Sequence, residues 1–299
     1  MKPIIFGGSQ GKVLAFKVSK IANVELGDLT VKSFPDGETY VRFLTEVEGR
    51  PVILINSMYK RPNDILVELL LEIGTLKDLG ATKVIGVIPY FAYARQDSRF
   101  NPGEAISIEI VSKLLSKSGL DELITVDMHL HRISDPSKLF KIPVHNISAM
   151  RDIVKYVASH YKLSNPIIIG PDEESEQWAK IAAEALGVEF DVLEKERISA
   201  EEVIVKVRNL NVKGRDVIVV DDIISTGGTM AEAVKALKNL GAKNVIAACT
   251  HALLIGDAYY KILKAGALDV VATDSVPSPI SYVSIAPLIA EHLKNMDKL

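Results

Sequence analysis

The chain of 299 residues carries one pattern twice. Gly49-Arg50-Pro51 opens onto Val-Ile-Leu-Ile, a helical stretch follows, and the segment closes on Leu79-Gly80-Ala81-Thr82-Lys83-Val84-Ile85. Gly214-Arg215-Asp216 opens onto Val-Ile-Val-Val, again with a helical stretch, and closes on Leu240-Gly241-Ala242-Lys243-Asn244-Val245-Ile246. Arg50 and Arg215 are 165 positions apart and Gly80 and Gly241 are 161 apart, so the first copy is four residues longer between its anchors. Such a repeat implies two copies of one domain; two generic strand–helix–strand units are the alternative. The rest of the chain fits. Apolar runs at 52–55, 84–88, 123–126, 167–169, 217–220 and 245–248 alternate with amphipathic stretches at 65–79, 106–116, 149–160, 174–186 and 230–240. Short continuous apolar runs suit strands buried on both faces, and their alternation with helices predicts an α/β fold: two tandem, duplicated domains, each a mainly parallel sheet flanked by helices. The boundary is expected within 143–148, giving domains 1–145 and 146–299, with the last helix a candidate for packing back on the first domain.

Composition narrows the function classes. Hydrophobic residues make up 48% and charged residues 24%, which is globular rather than disordered. A net charge of −3 gives no support for nucleic-acid or membrane-surface binding. No apolar run is long enough to span a bilayer, and the three-residue run 4–6 is too short for a signal peptide. Cys249, alone in the chain and set in Val-Ile-Ala-Ala-Cys-Thr, reads as a buried thiol. The expectation is a cytoplasmic protein with neither nucleic acid nor membrane as partner.

The two copies differ where a ligand would sit. After its strand the second has Asp221-Asp222-Ile-Ile-Ser225-Thr226-Gly227-Gly228-Thr229 and then a helical pattern. Small residues let the backbone turn tightly and approach a ligand, and N–H groups at a helix start, joined by three hydroxyls, form an anion site. Two adjacent carboxylates beside it suit Mg²⁺ or sugar hydroxyls. This combination predicts a phosphorylated-sugar site. The first copy has Asn56-Ser57-Met58-Tyr59-Lys60-Arg61-Pro62-Asn63-Asp64, with no glycine and no paired acids, so one sugar site per chain is expected.

Four further stretches carry chemistry-bearing side chains. Residues 89–99, Pro-Tyr-Phe-Ala-Tyr-Ala-Arg95-Gln96-Asp97-Ser-Arg99, follow a strand end, where α/β folds place ligand loops. Two arginines there suit a polyphosphate, or a packed corner with surface ion pairs. Phe34-Pro-Asp36-Gly37-Glu38 is a hairpin turn that need carry no function. Asp127, His129 and His131 alternate at a strand end, so extended geometry puts them on one side as a Mg²⁺ or phosphate site, or as satisfied strand-end side chains. Lys195 and Arg197 lie in a loop between a strand at 189–193 and the polar segment 199–207, as a pair of cations able to close on a phosphate or as a solvated charge run.

Residues 217–229 resemble the 5-phosphoribosyl 1-diphosphate (PRPP) signature of the type I phosphoribosyltransferase fold. Together with Phe34-x-Asp36-Gly37-Glu38, Pro89-Tyr90-x-x-Tyr93-x-Arg95-Gln96-Asp97, Asp127-x-His129, Gly170-Pro171-Asp172 and Lys195-x-Arg197, they make nearly the full chain similar to the ribose-phosphate diphosphokinases, or PRPP synthetases. The resemblance implies a homo-oligomeric enzyme that uses ATP, ribose 5-phosphate and Mg²⁺ to form PRPP and AMP. Residues 225–229 would bind the 5-phosphate, with Arg197 contributing, and Asp221 and Asp222 would face the ribose hydroxyls. Lys195 and Arg197 would act on the transferring group from a flexible loop. Arg95, Gln96, Asp97 and Arg99 would bind ATP. Phe34, Asp36, Gly37 and Glu38 would bind its adenine from a neighbouring subunit. His129, Asp172 and Asp127 would be associated with the metal. Glu196, Ile198, Ser199 and Ala200 stand where many bacterial relatives carry a longer basic loop, and residues 170–175 are more acidic than the bacterial version. The pattern is similar to archaeal members, and a dimer is the expected assembly. A phosphoribosyltransferase that consumes PRPP would need only one such domain; a non-catalytic regulatory homologue would carry damaged motifs, which this chain does not.

Overall fold

The computed structural model describes residues 1–130, 133, 135–197 and 203–296, with the side chains of 195–197 and 203–205 excepted. In chain order the first elements are β1 (Ile4–Gly7), α1 (Lys12–Ala22), β2 (Glu25–Leu26), β3 (Leu29–Ser33), β4 (Thr39–Phe43), β5 (Pro51–Ile55), α2 (Pro62–Asp78), β6 (Lys83–Val87), α3 (Ser107–Lys117), β7 (Glu122–Val126), α4 (Ser137–Phe140) and β8 (Val144–Ile147). There follow α5 (Met150–His160), β9 (Ile167–Gly170), a 3₁₀ turn at Glu173–Ser175, α6 (Glu176–Leu186), β10 (Phe190–Arg197), β11 (Val203–Val207), β12 (Asp216–Ile224) and α7 (Gly228–Asn239). The last are β13 (Asn244–Ala252), α8 (Ala258–Lys264), β14 (Asp269–Thr273), β15 (Ser281–Val283) and α9 (Ala286–Asn295).

The chain divides into two compact units, Met1–Ile147 with Ile285–Leu299, and Ser148–Ser284. The segment that carries α9 therefore groups with unit 1. In unit 1, α9 packs on α1. The main sheet of unit 1 has the order β2-β1-β5-β6-β7-β8, parallel throughout. That of unit 2 has the order β11-β10-β9-β12-β13-β14-β15, parallel except for the β10–β11 pair. The central strands are buried along their length, as continuous Ile and Val runs require when helices cover both faces. The helices supply matching stripes: α5 buries Met150, Ile153, Val154 and Val157, and α7 buries Met230, Ala233, Val234 and Leu237, at i, i+3, i+4 and i+7 spacing.

The repeat is visible in the side chains that frame it. Arg50 Nε donates to Lys2 O (3.2 Å) and Arg50 Nη2 pairs with Glu25 (2.6 Å). Arg215 Nε donates to Asn165 O (3.2 Å) and Arg215 Nη1 pairs with Glu189 (2.7 Å). Gly49 N–H donates to Gly80 O at 2.9 Å, and Gly214 N–H donates to Gly241 O at 2.8 Å. Each arginine thus ties the start of one strand to the entry of its neighbour, which explains why Gly-Arg recurs with the fold.

Two local expectations are corrected. Lys195 and Arg197 do not lie in a loop: β10 continues to Arg197 and pairs antiparallel with β11, Lys195 opposite Val205 and Arg197 opposite Val203. The β-branched residues Val203, Ile204 and Val205 hidden in the polar segment supply the partner strand. The extended path assumed beyond Val126 also ends early. Asp127 takes φ +39°, which turns the chain, so strand alternation does not carry from Asp127 to His129; His131 lies outside the described residues.

Candidate functional site

In unit 2 the chain leaves β9 toward β10 and later returns to β12 on the other side of β9. Strand order reverses there, which opens a crevice at the carboxyl ends of the two strands. The residues that follow them meet at that crevice. Asp172, just after β9, caps the 3₁₀ turn by accepting from Ser175 N–H at 3.1 Å. Asp221 and Asp222 lie within the last turns of β12 rather than after it. Burial first, and then the charges of Asp222 and Asp172, hold the Asp221 carboxyl well above the usual carboxylate range. Three carboxylates thus crowd one strand-end pair, an arrangement that a set of sugar hydroxyls would relieve.

The loop 225–229 joins β12 to α7. Gly227 caps the helix in the left-handed region at φ +75°, and a Cβ there would lie 2.9 Å from Ala258 O and 3.0 Å from Ala258 Cα. Thr226, Gly228 and Thr229 are exposed at the start of a helix of 12 residues. The segment after β13 supports the loop from behind: Leu253 N–H donates to Ile224 O at 3.0 Å and Ile255 N–H to Ser225 O at 2.9 Å. Cys249, opposite Asp221 on β13, is a core group whose thiol is pushed up by burial and by the Asp221 charge.

In unit 1 the stretch after β6 separates packing from ligand-type residues. Tyr90, Phe91, Ala92 and Ala94 are buried, and Phe91 meets Phe140 edge-on at 5.3 Å. Tyr93 is held at φ +70° and its hydroxyl bonds Asn63. Arg95 and Arg99 are exposed, and among the described residues neither enters an ion pair. Gln96 is half-buried and Asp97 buried. Asp127 is buried and His129 half-buried just beyond β7. The residues 34–38 form the tip of the β3–β4 hairpin, closed by Phe34 N–H to Glu38 O (2.8 Å) and Gly37 N–H to Phe34 O (2.9 Å). The tip is exposed, and Phe34 keeps 47% of its surface accessible against Tyr40.

A family model described as the N-terminal domain of ribose phosphate pyrophosphokinase matches residues 3–119, and one for the phosphoribosyl transferase domain matches residues 139–262. Ribose-phosphate pyrophosphokinase from Methanopyrus kandleri is 40% identical over 295 residues, covering 98% of this chain and 99% of that one. The chain belongs to the ribose-phosphate pyrophosphokinase family. Its similarity to the Methanothermobacter thermautotrophicus member is 42% over 98% of this chain and all of the relative. A crystal structure of phosphoribosylpyrophosphate synthetase from Mycobacterium smegmatis superposes with a TM-score of 0.88 at 32% identity, covering 98% of each chain.

As a member of the ribose-phosphate pyrophosphokinase family the chain is an enzyme, and both its units have the phosphoribosyltransferase-like fold. Among the described residues no three His, Cys, Asp or Glu side chains are arranged to hold a metal, and no helix is long and apolar enough to cross a membrane. Sequence reasoning missed two polar groups. Ser275 Oγ lies 2.8 Å from both His251 Nδ1 and Thr250 O at the ends of β13 and β14. Glu68 and Glu72 lie on the buried stripe of α2. Helical spacing was the available signal for the second pair, because it places both glutamates in phase with Ile65, Leu69 and Ile73.

Proposed function

We propose that the enzyme transfers the β,γ-diphosphoryl group of ATP to the anomeric hydroxyl of ribose 5-phosphate, giving PRPP and AMP. The observation that carries the sugar half is the group of Asp172, Asp221 and Asp222 beside the Gly227-capped loop at the β9/β12 reversal. Residues 225–229 hold the 5-phosphate through helix-start N–H groups and the hydroxyls of Ser225, Thr226 and Thr229. Asp221 and Asp222 receive the ribose hydroxyls. Arg95, Gln96, Asp97 and Arg99 bind the nucleotide, with the arginines set against its phosphates. Lys195 and Arg197 neutralise charge on the transferring group, Arg197 also contacting the sugar phosphate; this reaction depends on positioning and electrostatics more than on covalent help.

Carboxylate oxygens are donors that Mg²⁺ prefers, and the residues that would serve it are Asp172 in unit 2 and, separately, Asp127 with His129 in unit 1, the rest of the ion's shell coming from substrate phosphates and water. When bound, the ion would supply charge neutralisation on the phosphates. The exposed Phe34 at the hairpin tip, with Asp36, Gly37 and Glu38, supports adenine binding completed by a second copy of the chain, in a homodimer or larger assembly. The metabolic character of the relatives supports a cytoplasmic enzyme.

The test is product analysis. Protein with ATP, ribose 5-phosphate and Mg²⁺ should yield AMP and PRPP in equal amounts, and chelation of the metal should stop the reaction. Release of ADP, or no turnover with Mg²⁺ present, refutes the assignment.

A further inference from the structure

The loop that carries Gln96 and Arg99 closes on a residue outside every motif discussed above. Asn101-Pro102-Gly103 makes its turn, with Gly103 at φ +89°, and Glu104 ends it. The Glu104 carboxylate accepts from Phe100 N–H at 2.8 Å, from Asn101 N–H at 3.0 Å, from Asn101 Nδ2 at 2.6 Å and from Gln96 Nε2 at 3.0 Å. The Glu104 carbonyl oxygen accepts from Arg99 Nε at 2.9 Å. One residue therefore meets backbone and side chains from both ends of the loop, although the loop itself lies at the surface.

These contacts fix how the two ligand-type side chains present themselves. Gln96 Nε2 also donates to Ser98 O at 3.0 Å. An amide nitrogen has two hydrogens, so both are committed and Gln96 Oε1 is the acceptor left to face a ligand. Both of its partners are oxygens without a proton at neutral pH, so only the nitrogen can occupy that position. For Arg99 the contact uses Nε, which sets the guanidinium plane and leaves the two terminal nitrogens for a bidentate anion contact. The Glu104 carboxyl is held below the usual carboxylate range, first by Asn101, so the ionised clasp is the form present at neutral pH.

We infer that Glu104 is a positioning residue of the nucleotide loop: it holds Gln96 acceptor-outward and aims the Arg99 fork before the nucleotide arrives. The inference rests on the proposal that Gln96 and Arg99 contact ATP. Pre-ordering of this kind acts on binding of one substrate and leaves the other substrate's site, in unit 2, unchanged.

The test compares full-length Glu104→Ala and Glu104→Gln with Arg99→Ala, each by steady-state kinetics in both substrates and by thermal unfolding. Glu104→Ala should raise KM for ATP about tenfold, with KM for ribose 5-phosphate within about twofold and a smaller change in kcat. Glu104→Gln keeps one acceptor oxygen and should fall between Ala and the parent. It also carries the comparison should the alanine variant fail to fold. The inference is overturned if both Glu104 variants leave KM for ATP within about twofold while Arg99→Ala raises it. It is equally overturned if KM rises for both substrates together with a lowered Tm, which is the signature of a merely structural residue. If Arg99→Ala also leaves KM for ATP unchanged, the assignment of the loop to the nucleotide fails first and the role of Glu104 fails with it.

Discussion

Replacing Gly227 by Ala tests whether the sugar-phosphate loop is set by packing. Two costs can be separated. The left-handed φ of +75° carries about 1 kcal/mol for any residue with a Cβ. The new methyl would also lie 2.9 Å from Ala258 O and 3.0 Å from Ala258 Cα and Cβ, and two of those three atoms are backbone that no rotamer change can move. Overpacking of this kind costs about 1–3 kcal/mol, so the total is about 2–4 kcal/mol. Gly214 supplies the control: it has φ +74° but nothing within 4 Å of its would-be Cβ, so Gly214→Ala incurs the first cost alone. At about 2–4 °C per kcal/mol, Gly214→Ala should lower Tm by about 2–4 °C and Gly227→Ala by about 4–16 °C. Whatever strain is relieved by moving the loop away from Ala258 should appear as a raised KM for ribose 5-phosphate, with KM for ATP little changed. Thermal unfolding and two-substrate kinetics on both variants decide the matter. Equal Tm losses for the two variants, with an unaltered KM for ribose 5-phosphate, would refute the idea that contact with Ala258 holds the loop.

Lys195→Ala should lower kcat by about a hundredfold or more, the scale lost with one donor to a developing charge, and should change KM less; turnover within a few-fold of the parent removes Lys195 from the chemistry. Glu72 gives a pH signature in stability. Burial, followed by the charge of Glu68, raises its carboxyl well above the ordinary 4.5. The native state then holds that proton more tightly than the unfolded chain, so the contribution is fully present below pH 4.5 and is lost as pH rises through the raised value. Glu72→Gln keeps a neutral side chain throughout. Its Tm should therefore gain on the parent's as pH is raised from 5 to 8 (a window at and above the ordinary carboxylate pKa). Parallel Tm profiles over that range would show that Glu72 does not titrate there.

Much of the architecture could be read from the residues because the signals were local and redundant. Ile4 to Phe6, 217–220 and 245–248 are apolar at every position, and runs this short suit a strand covered on both faces. The hairpin was equally legible: Leu29–Ser33 and Thr39–Phe43 flank a Pro-Asp-Gly turn and pair in register, Leu29 with Phe43 and Ser33 with Thr39. What escaped depends on contacts between distant residues. The end of β7 was invisible because Asp127 is a common strand-end residue, and only its neighbours hold it at φ +39°. Glu104 reads as one more surface acid in a turn until the four donors around it are seen together.

The two units show how one scaffold comes to have different ends. Each reverses its strand order once, between β1 and β5 in unit 1 and between β9 and β12 in unit 2. In unit 1 the chain fills that crevice with its own groups. Ser9 gives its N–H to Glu68 Oε1 and its hydroxyl to Glu68 Oε2, both at 2.7 Å, and Gln10 N–H goes to Asn56 Oδ1 at 3.0 Å. Asn56 Nδ2 donates to Glu68 at 2.8 Å, and a Cβ on Gly8 would fall 2.2 Å from that nitrogen. Donors already committed to the Glu68 carboxyl group are not offered to a phosphate. In unit 2 the corresponding crevice is lined instead by the mutually repelling Asp172, Asp221 and Asp222 next to a glycine-capped helix start. Duplication thus preserved the Arg–Glu ties and the parallel sheet, which stabilise either copy. The residues at the strand ends diverged, and in unit 1 the loop after β6, with Arg95, Gln96 and Arg99, became the feature to which a nucleotide can be assigned.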